Sequence, residues 1–262
     1  MNFKQLHQQD SALLLCNVWD VPSAKQAQAL GFKAIGTSSA AIASSLGYRD
    51  GEEMDFATLR FMVERIVTNT SLSLTVDLEA GFSDNPLVAV QHIKTLVELG
   101  VVGINIEDSV VTHSINTRSL VDIGLFAQRL EHISTLLKEQ GVDVFINVRT
   151  DPFLLNFDNA LEETLSRIAR YHAAGANGIF IPCIEDINDI GECVAATHLP
   201  VNVMCMAQLP DFEELSAIGV KRISMGSFAF EKQVMYQRQL FASVINSGNF
   251  SSLFNTMFIQ ID

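Results

Sequence analysis

Cations are scarce in this chain. Its 262 residues carry 17 Lys and Arg against 30 Asp and Glu, a formal net charge of −13. Nucleic acid and anionic membrane surfaces both call for a basic face, so neither is an expected partner. A small anionic substrate stays open, because a site can be locally cationic. Cysteine is sparse too. Cys16, Cys183, Cys193 and Cys205 contain no CxxC pair and lack the density of a disulfide framework, which points to a reducing cytoplasm. No apolar run approaches the ~18 residues of a membrane span, and Met1–Asp10 has no apolar signal-peptide core. No lysine ends a strand: Lys4, Lys25, Lys33, Lys94, Lys138, Lys221 and Lys232 fall in helices, in the N-terminal arm or at strand starts. That argues against Schiff-base catalysis by an amine. A Gly-rich phosphate loop is missing, and the segments after the last two strands offer no anion cradle, which disfavours a sugar phosphate. No linker, low-complexity tract or charge block divides the chain.

What is present is a succession of short apolar runs in step with helical patterns. The runs are Leu13–Cys16, Lys33–Gly36, Leu72–Val76, Val102–Ile106, Val144–Val148, Gly178–Ile181, Val201–Val203 and Arg222–Met225. Several intervening helices stop at a Gly just before the next strand. One, over Phe56–Thr68 with Asp55 as its cap, carries Leu59, Met62, Val63 and Ile66 at helical spacing. Repeated strand–helix units imply a parallel sheet. Eight of them near the typical ~250 residues imply an α/β fold, the (β/α)8 TIM barrel, as a single domain over 1–262. Val110–Asp122 reads as a long polar segment. The tail 248–262 is Phe-rich, with Phe250, Phe254 and Phe258 recurring every four residues as in an amphipathic helix.

Barrel chemistry sits at the C-terminal ends of the strands. The stretch LSLTVDLEAGF (72–82) ends its strand in Asp77 and Glu79, two apart and so turned the same way. Such a pair suits a hard divalent cation bound through oxygen, with water completing the shell; a solvated turn is the other reading. Glu107 ends the neighbouring strand, so Asp77, Glu79 and Glu107 can share one cation. Arg149 is the one Arg or Lys at a strand end. Its fork can hold a carboxylate, or it can pair structurally with a nearby acid. Asn202, near the end of the seventh strand, is taken as a further substrate contact. A cation, an arginine and small backbone-exposing residues suit a 2-oxo acid chelated through its carboxylate and keto oxygens, the cation stabilising enolate charge as a Lewis acid. A catalytically silent barrel that binds such an acid as a scaffold protein is the alternative.

In order along the chain stand NVWD (17–20), GTSSA (36–40), LGYRD (46–50), VDLEAGF (76–82), GINIEDS (103–109) and NVRTD (147–151). Together they resemble the isocitrate lyase/phosphoenolpyruvate mutase superfamily, from about Leu13 to Ile245. The resemblance implies an enzyme dependent on magnesium, with manganese as the alternative, acting on a small 2-oxo acid through an enolpyruvate-like species. By position, Asp77, Glu79 and Glu107 match the metal shell, several contacts passing through water, and Asp50 matches an acid near the metal. Ser38 and Ser39 match residues whose backbone N–H groups hold substrate oxygens, Trp19 lies at the pocket mouth, and Arg149 matches the substrate-binding arginine. The family swaps its last helix between subunits of dimers or tetramers, which casts the region 227–262 in that role here.

Two departures narrow the activity. The lyase branch carries a Lys-Arg-Cys-Gly lid whose cysteine serves in C–C cleavage of isocitrate or methylisocitrate. Here the segment reads SVVTHSINTRSLVD (109–122), without cysteine or lysine, which argues against an isocitrate-type lyase. The mutase branch has a lid with Lys and Asn and a histidine after strand six, where this chain has Pro182. The chain looks like the branch with Asp-Leu-Glu in place of the usual second Asp. Decarboxylation or C–C lysis of an oxo-diacid and phosphonopyruvate-type P–C chemistry both stay open. His113, Asn116 and Arg118 lie in the expected lid, where they close over substrate or form a solvated loop.

Overall fold

A computed structural model of the chain describes residues 2–254. Two compact units divide it, Met1–Gly226 and the segment from Ser227 onward. The strands are β1 (Leu13–Leu14), β2 (Cys16–Val18), β3 (Ala34–Thr37), β4 (Ser73–Asp77), β5 (Gly103–Glu107), β6 (Ser109–Thr112), β7 (Thr117–Leu120), β8 (Phe145–Arg149), β9 (Gly178–Ile181), β10 (Val201–Met204) and β11 (Arg222–Ser224). The helices are α1 (Phe3–Leu6), α2 (Val21–Ala29), α3 (Ser39–Leu46), α4 (Phe56–Val67), α5 (Pro86–Glu98), α6 (Ile123–Glu139), α7 (Ala160–Ala173), α8 (Ile187–Ala195), α9 (Phe212–Ala217), α10 (Phe228–Ser247) and α11 (Ser251–Phe254).

Nine strands pair in the order β1-β11-β10-β9-β8-β5-β4-β3-β2, every pair parallel. The two ends of this order are consecutive in the chain, separated only by Leu15, whose N–H donates to Ile223 O at 2.8 Å. The first strand therefore serves the last strand with its start and β3 with its end. That closes the sheet into the expected barrel, one strand split in two by its change of partner. The Asp55 cap is confirmed: its carboxylate accepts from Thr58 N at 2.8 Å, and α4 buries Leu59, Val63 and Ile66.

One element differs from expectation. Val110–Asp122, read as a long polar segment with no strand assigned, forms with Ser109 the antiparallel hairpin β6–β7, Ser109 opposite Leu120 and Thr112 opposite Thr117. In the unit from Ser227, α10 has no buried residue and leaves Val234, Met235, Tyr236, Phe241 and Ile245 exposed. Phe250 and Phe254 of the expected aromatic stripe are exposed as well; Phe258 lies outside the described residues.

The barrel axis is filled by a polar layer. Asn147 Nδ2 donates to Asn105 Oδ1 at 3.0 Å and to Asn202 Oδ1 at 3.3 Å, and Asn202 Nδ2 donates to Ser224 Oγ at 3.0 Å. Asn202 is 1% exposed. The expected substrate contact is thus a core residue: second in its strand, it lies too deep to reach the rim. Below this layer α1 closes the floor. Phe3 and Leu6 pack with Leu13, Leu15, Ala34 and Phe145. His7 stacks on Phe145 at 4.5 Å, and its Nδ1–H donates to Phe3 O at 3.0 Å.

Burial, then the Arg222 charge, lower His7 from 6.5 to about 4, against a weaker opposing pull from its bond to Phe3. The unfolded chain therefore binds more protons between those values. The His7 contribution to stability is complete above pH 6.5 and is lost as pH falls toward 4. Between pH 7 and pH 5 the protein is expected to lose about 2 kcal/mol from this source. Urea denaturation at the two pH values, repeated on His7→Phe, checks it: the variant should lack that increment. An identical pH dependence in both proteins removes His7 as its cause.

Candidate active site

Alternation along the strands sets the site. Thr75, Asn105 and Asn147 face the axis, so Asp77, Glu107 and Arg149, two residues on, face it at the rim. β5 lies between β4 and β8, and its register places Glu107 beside Arg149. Arg149 Nη1 lies 2.9 Å from Glu107 Oε2, while its Nε and Nη2 donate to Asp151 at 2.7 and 3.1 Å. The structural pairing anticipated as one reading of Arg149 is realised, at the place where the binding role also requires it. Burial works against the Arg149 charge, but Asp151 and Glu107 outweigh it and hold the guanidinium well above its ordinary range.

Asp77 Oδ2 accepts from Ser39 Oγ at 2.8 Å and from the Ser39 N–H at 3.4 Å, and Ser39 Oγ lies 3.5 Å from Asp50 Oδ1. Burial pushes the Asp77 carboxyl up and Arg149 pulls it back. Ser38 behaves differently from Ser39. Its N–H donates to Val18 O at 3.1 Å and its Oγ caps α3 by accepting from Ala41 N at 3.3 Å. Of the two amides expected to hold substrate oxygens, that of Ser38 is taken up by the sheet ladder and that of Ser39 faces Asp77. Trp19 is buried at the end of β2, its N–H donating to Ser23 Oγ at 3.1 Å.

Glu79 is the acid without a counter-charge. It is 2% exposed, and its Oε2 is buried with no hydrogen-bond partner. Its backbone has φ +48°, a left-handed conformation that a side chain with a Cβ rarely adopts and that costs on the order of 1–2 kcal/mol. The turn is held from outside. Glu107 N donates to Glu79 O at 2.8 Å, Phe82 N to Glu52 Oε1 at 2.6 Å, and Arg129 donates to Ala80 O and Ser83 O. Burial, then the charges of Asp50, Glu107, Asp77 and Glu52, push Glu79 up to about 9. Burial pushes Glu107 up to about 8, with Arg149 and Arg118 pulling it back. A cavity of about 50 Å³ lies between Glu79 and Glu107, roofed by Ser109–Val111 and walled by Gly51 and Glu52. That volume holds a water or two, and equally a small cation.

Within this group of acids Glu79 has no cationic partner among the described residues, so the donor set fits a hard divalent cation. The fit is through water rather than by direct ligation. Among the described residues no three His, Cys, Asp or Glu side chains converge on one metal position, because Ser39 holds Asp77 and two arginines hold Glu107. Larger cavities, about 660 and 530 Å³, lie around Lys4 and Asn177 at the other end of the strands. They contain none of these carboxylates, so the rim and not the floor is the candidate for chemistry.

The hairpin brings the expected lid residues in. Arg118 Nη1 donates to Glu107 Oε1 and, at 2.8 Å, to Ser109 Oγ; its Nη2 donates to Asp50 Oδ2 at 2.9 Å. His113 Nε2 lies 2.6 Å from Gly51 O. Asn116, at the exposed hairpin tip with φ +50°, serves the turn and reaches no site residue. Sequence reasoning missed Arg129 and Glu52 as supports of the Glu79 turn, and Ser109 as the hydroxyl between Arg118 and Asp151. No local signal marks them: Arg129 lies in α6, Glu52 in a loop and Ser109 at the start of β6. Cys183 and Cys205 carry thiols pushed up by burial, as inert packing residues do.

The family model of phosphoenolpyruvate phosphomutase matches residues 3–245. An uncharacterised protein of Mycobacterium tuberculosis is 33% identical over 230 residues, covering 88% of this chain and 83% of its own. Oxaloacetate decarboxylase 1 of Pseudomonas fluorescens is 28% identical over 230 residues, covering 84% and 75%. The crystal structure of a candidate phosphonomutase from Burkholderia cenocepacia superposes with a TM-score of 0.84 at 36% identity, covering 92% of this chain and 97% of that one.

Proposed function

The chain belongs to the phosphoenolpyruvate phosphomutase family, whose members are lyases and mutases, and from that premise we propose that it cleaves the bond to C3 of a small 2-oxo acid with the help of a divalent cation. The observation that carries the reading is Glu79: a buried carboxylate with an unpartnered oxygen, set among four further acids at the rim of the barrel. Asp77, Glu79, Glu107 and Asp50 would hold the cation, magnesium or manganese, largely through water. When bound it supplies Lewis acidity to the substrate's keto oxygen.

The protein's own groups account for the remaining requirements. Arg149 presents a fork to the carboxylate next to the ketone, exchanging part of its contact with Asp151 for the ligand. The Ser39 N–H and hydroxyl stand beside Asp77 and steady the keto oxygen as negative charge develops there. In a decarboxylation the bond from C3 to the leaving carboxylate breaks, carbon dioxide departs, its electron pair moves toward the keto oxygen, and a proton from solvent returns to C3. The hairpin limits how much water enters. C–C chemistry is taken first because a relative named for its activity, oxaloacetate decarboxylase 1 of Pseudomonas fluorescens, breaks a C–C bond. The 36% identity to the candidate phosphonomutase keeps phosphonopyruvate in the substrate screen.

In this reading the enzyme is a homodimer or homotetramer of single barrels, with the exposed apolar side chains of α10 seated on a second copy, and it works in the cytoplasm with its four thiols reduced. No helix among the described residues is long and apolar enough to cross a membrane. The test is calorimetric titration with oxalate, which imitates a planar pyruvate enolate, with and without magnesium, followed by a turnover screen of oxaloacetate and phosphonopyruvate. Binding that requires magnesium, at least about tenfold tighter than without it, is the expected result. Magnesium-dependent binding with no turnover of any 2-oxo acid would favour the silent binding barrel. No binding in either condition would remove the site.

A further inference from the structure

One buried cation takes no part in the ion pairs of the rim. Arg222, the first residue of β11, is 1% exposed and among the largest fully buried side chains. It joins the asparagine layer, its Nη2 donating to Asn105 Oδ1 at 3.3 Å. Its Nε and Nη1 are buried with no hydrogen-bond partner. Arg149, Arg118 and Arg167 each hold a carboxylate oxygen at 2.9 Å, whereas the Arg222 guanidinium has only the asparagine. A buried guanidinium without a counter-charge is a cost to the fold. Burial pushes it down to about 9 and Asp77 pulls it back, so it stays charged at neutral pH.

Its position decides what that charge faces. Asn105 stands opposite Asp77 in the ladder between β4 and β5 and two residues before Glu107 on its own strand. The field of Arg222 reaches Asp77 toward the rim and His7 toward the floor. At the rim itself, Arg149 and Arg118 are already committed to Glu107, Asp151 and Asp50. An anionic ligand therefore meets cations that carry carboxylates of their own, and beneath them one that carries none. Inside the barrel a charge is felt more strongly than through water.

We propose that Arg222 is an electrostatic positioning residue: from within the barrel, and without touching substrate, it supplies the uncompensated positive charge that favours an anionic 2-oxo acid and the enolate formed from it. The same charge weakens the hold of the acids on a free cation, so that cation and acid bind best together. The inference rests on the function proposed above and adds a residue to it. It also gives the unpaired guanidinium a use that offsets its cost to stability.

The experiment uses the full chain and the variants R222M, R222Q and R222K. Calorimetry measures magnesium binding alone and oxalate binding at saturating magnesium, and urea denaturation follows stability without metal. Magnesium carries two positive charges and oxalate two negative ones, so loss of the Arg222 charge acts on them with opposite sign. In R222M magnesium should bind about tenfold tighter and oxalate about tenfold weaker. The urea midpoint should stay level or rise, because Met has a similar volume and Asn105 Oδ1 still accepts from Asn147. R222K, which keeps the charge, should leave both constants within about threefold of the unmodified protein.

Weakening of both ligands together, with a lower urea midpoint, would make Arg222 a structural residue and overturn the proposal. Unchanged constants in R222M, or an R222K that behaves like R222M, would overturn it too. Should R222M not fold, R222Q is read in the same way, and the proposal falls if neither neutral variant folds. If the unmodified protein binds both ligands and the variants show no opposite shifts, this inference fails alone. If the unmodified protein binds neither, the proposed function fails and takes this inference with it.

Discussion

Asp77→Ala should lose magnesium-dependent turnover by on the order of 10³-fold while the metal-free protein keeps its stability. Both halves follow from the same side chain. Asp77 ends β4 beside Ser39 and within reach of the Glu79 and Glu107 charges. On the function proposed above, removing it would take away a water-mediated anchor for the cation, and it unfastens Ser39. Yet burial already pushes the Asp77 carboxyl above its usual range, so its ionised form is a net cost to the fold where no cation compensates it. Its backbone N–H still donates to Thr37 Oγ1 in the variant, and a rim carboxylate leaves no core cavity. Steady-state kinetics across a magnesium series and urea denaturation without metal check the two halves. Full magnesium-dependent turnover in Asp77→Ala would show that Asp77 is not part of the metal shell. Loss of activity together with a large loss of stability would point to a structural role instead.

The largest stability effect is expected one residue past Glu107. Asp108 is fully buried and accepts four hydrogen bonds: from Thr150 Oγ1 at 2.7 Å, Asp151 N at 3.1 Å, Arg167 Nη1 at 2.9 Å and Tyr171 OH at 2.8 Å. Arg167, 3% exposed, also donates to Val121 O at 3.2 Å, which ties the base of the hairpin to α7. Asp108→Ala strands this guanidinium and the Tyr171 hydroxyl inside the protein. Breaking one side of a buried pair costs about 3–5 kcal/mol, which should appear as a lower urea midpoint with an unchanged slope. Asp108→Asn keeps the shape and two acceptor lone pairs and should cost less. A loss below about 1 kcal/mol in the alanine variant would mean that water replaces the carboxylate and that the network is not rigid. Because Asp151 is oriented by Asp108 through its backbone, and Arg149 by Asp151, activity should fall in the same order as stability.

Much of this protein was legible one residue at a time. The eight apolar runs and the length predict the barrel, because hydrophobic alternation and the need to cover a parallel sheet are local properties. Alternation also places Asp77, Glu107 and Arg149 on the inner face, since two residues further along a strand is the same face. The motif order points to the right superfamily. What stayed hidden depends on distance between chain segments. Asn202 looks like a strand-end residue, but the depth of the short strand β10 in the barrel makes it part of an interior asparagine layer. Ser38 and Ser39 are indistinguishable as letters, yet the ladder between β2 and β3 consumes one amide and leaves the other at the site. The segment 109–122 is polar with little apolar alternation to report a strand, and only its antiparallel register against itself makes a hairpin. That hairpin then carries Arg118 to Glu107 and to Asp50, 68 residues back in the chain. Local pattern along the chain is enough for the barrel, its C-terminal rim and the acids available there. Which of those acids already have a cation, and that Glu79 is left without one, follows from the folded arrangement. Pairing between charges is set by the closure of loops in space, and no periodicity along the chain records it.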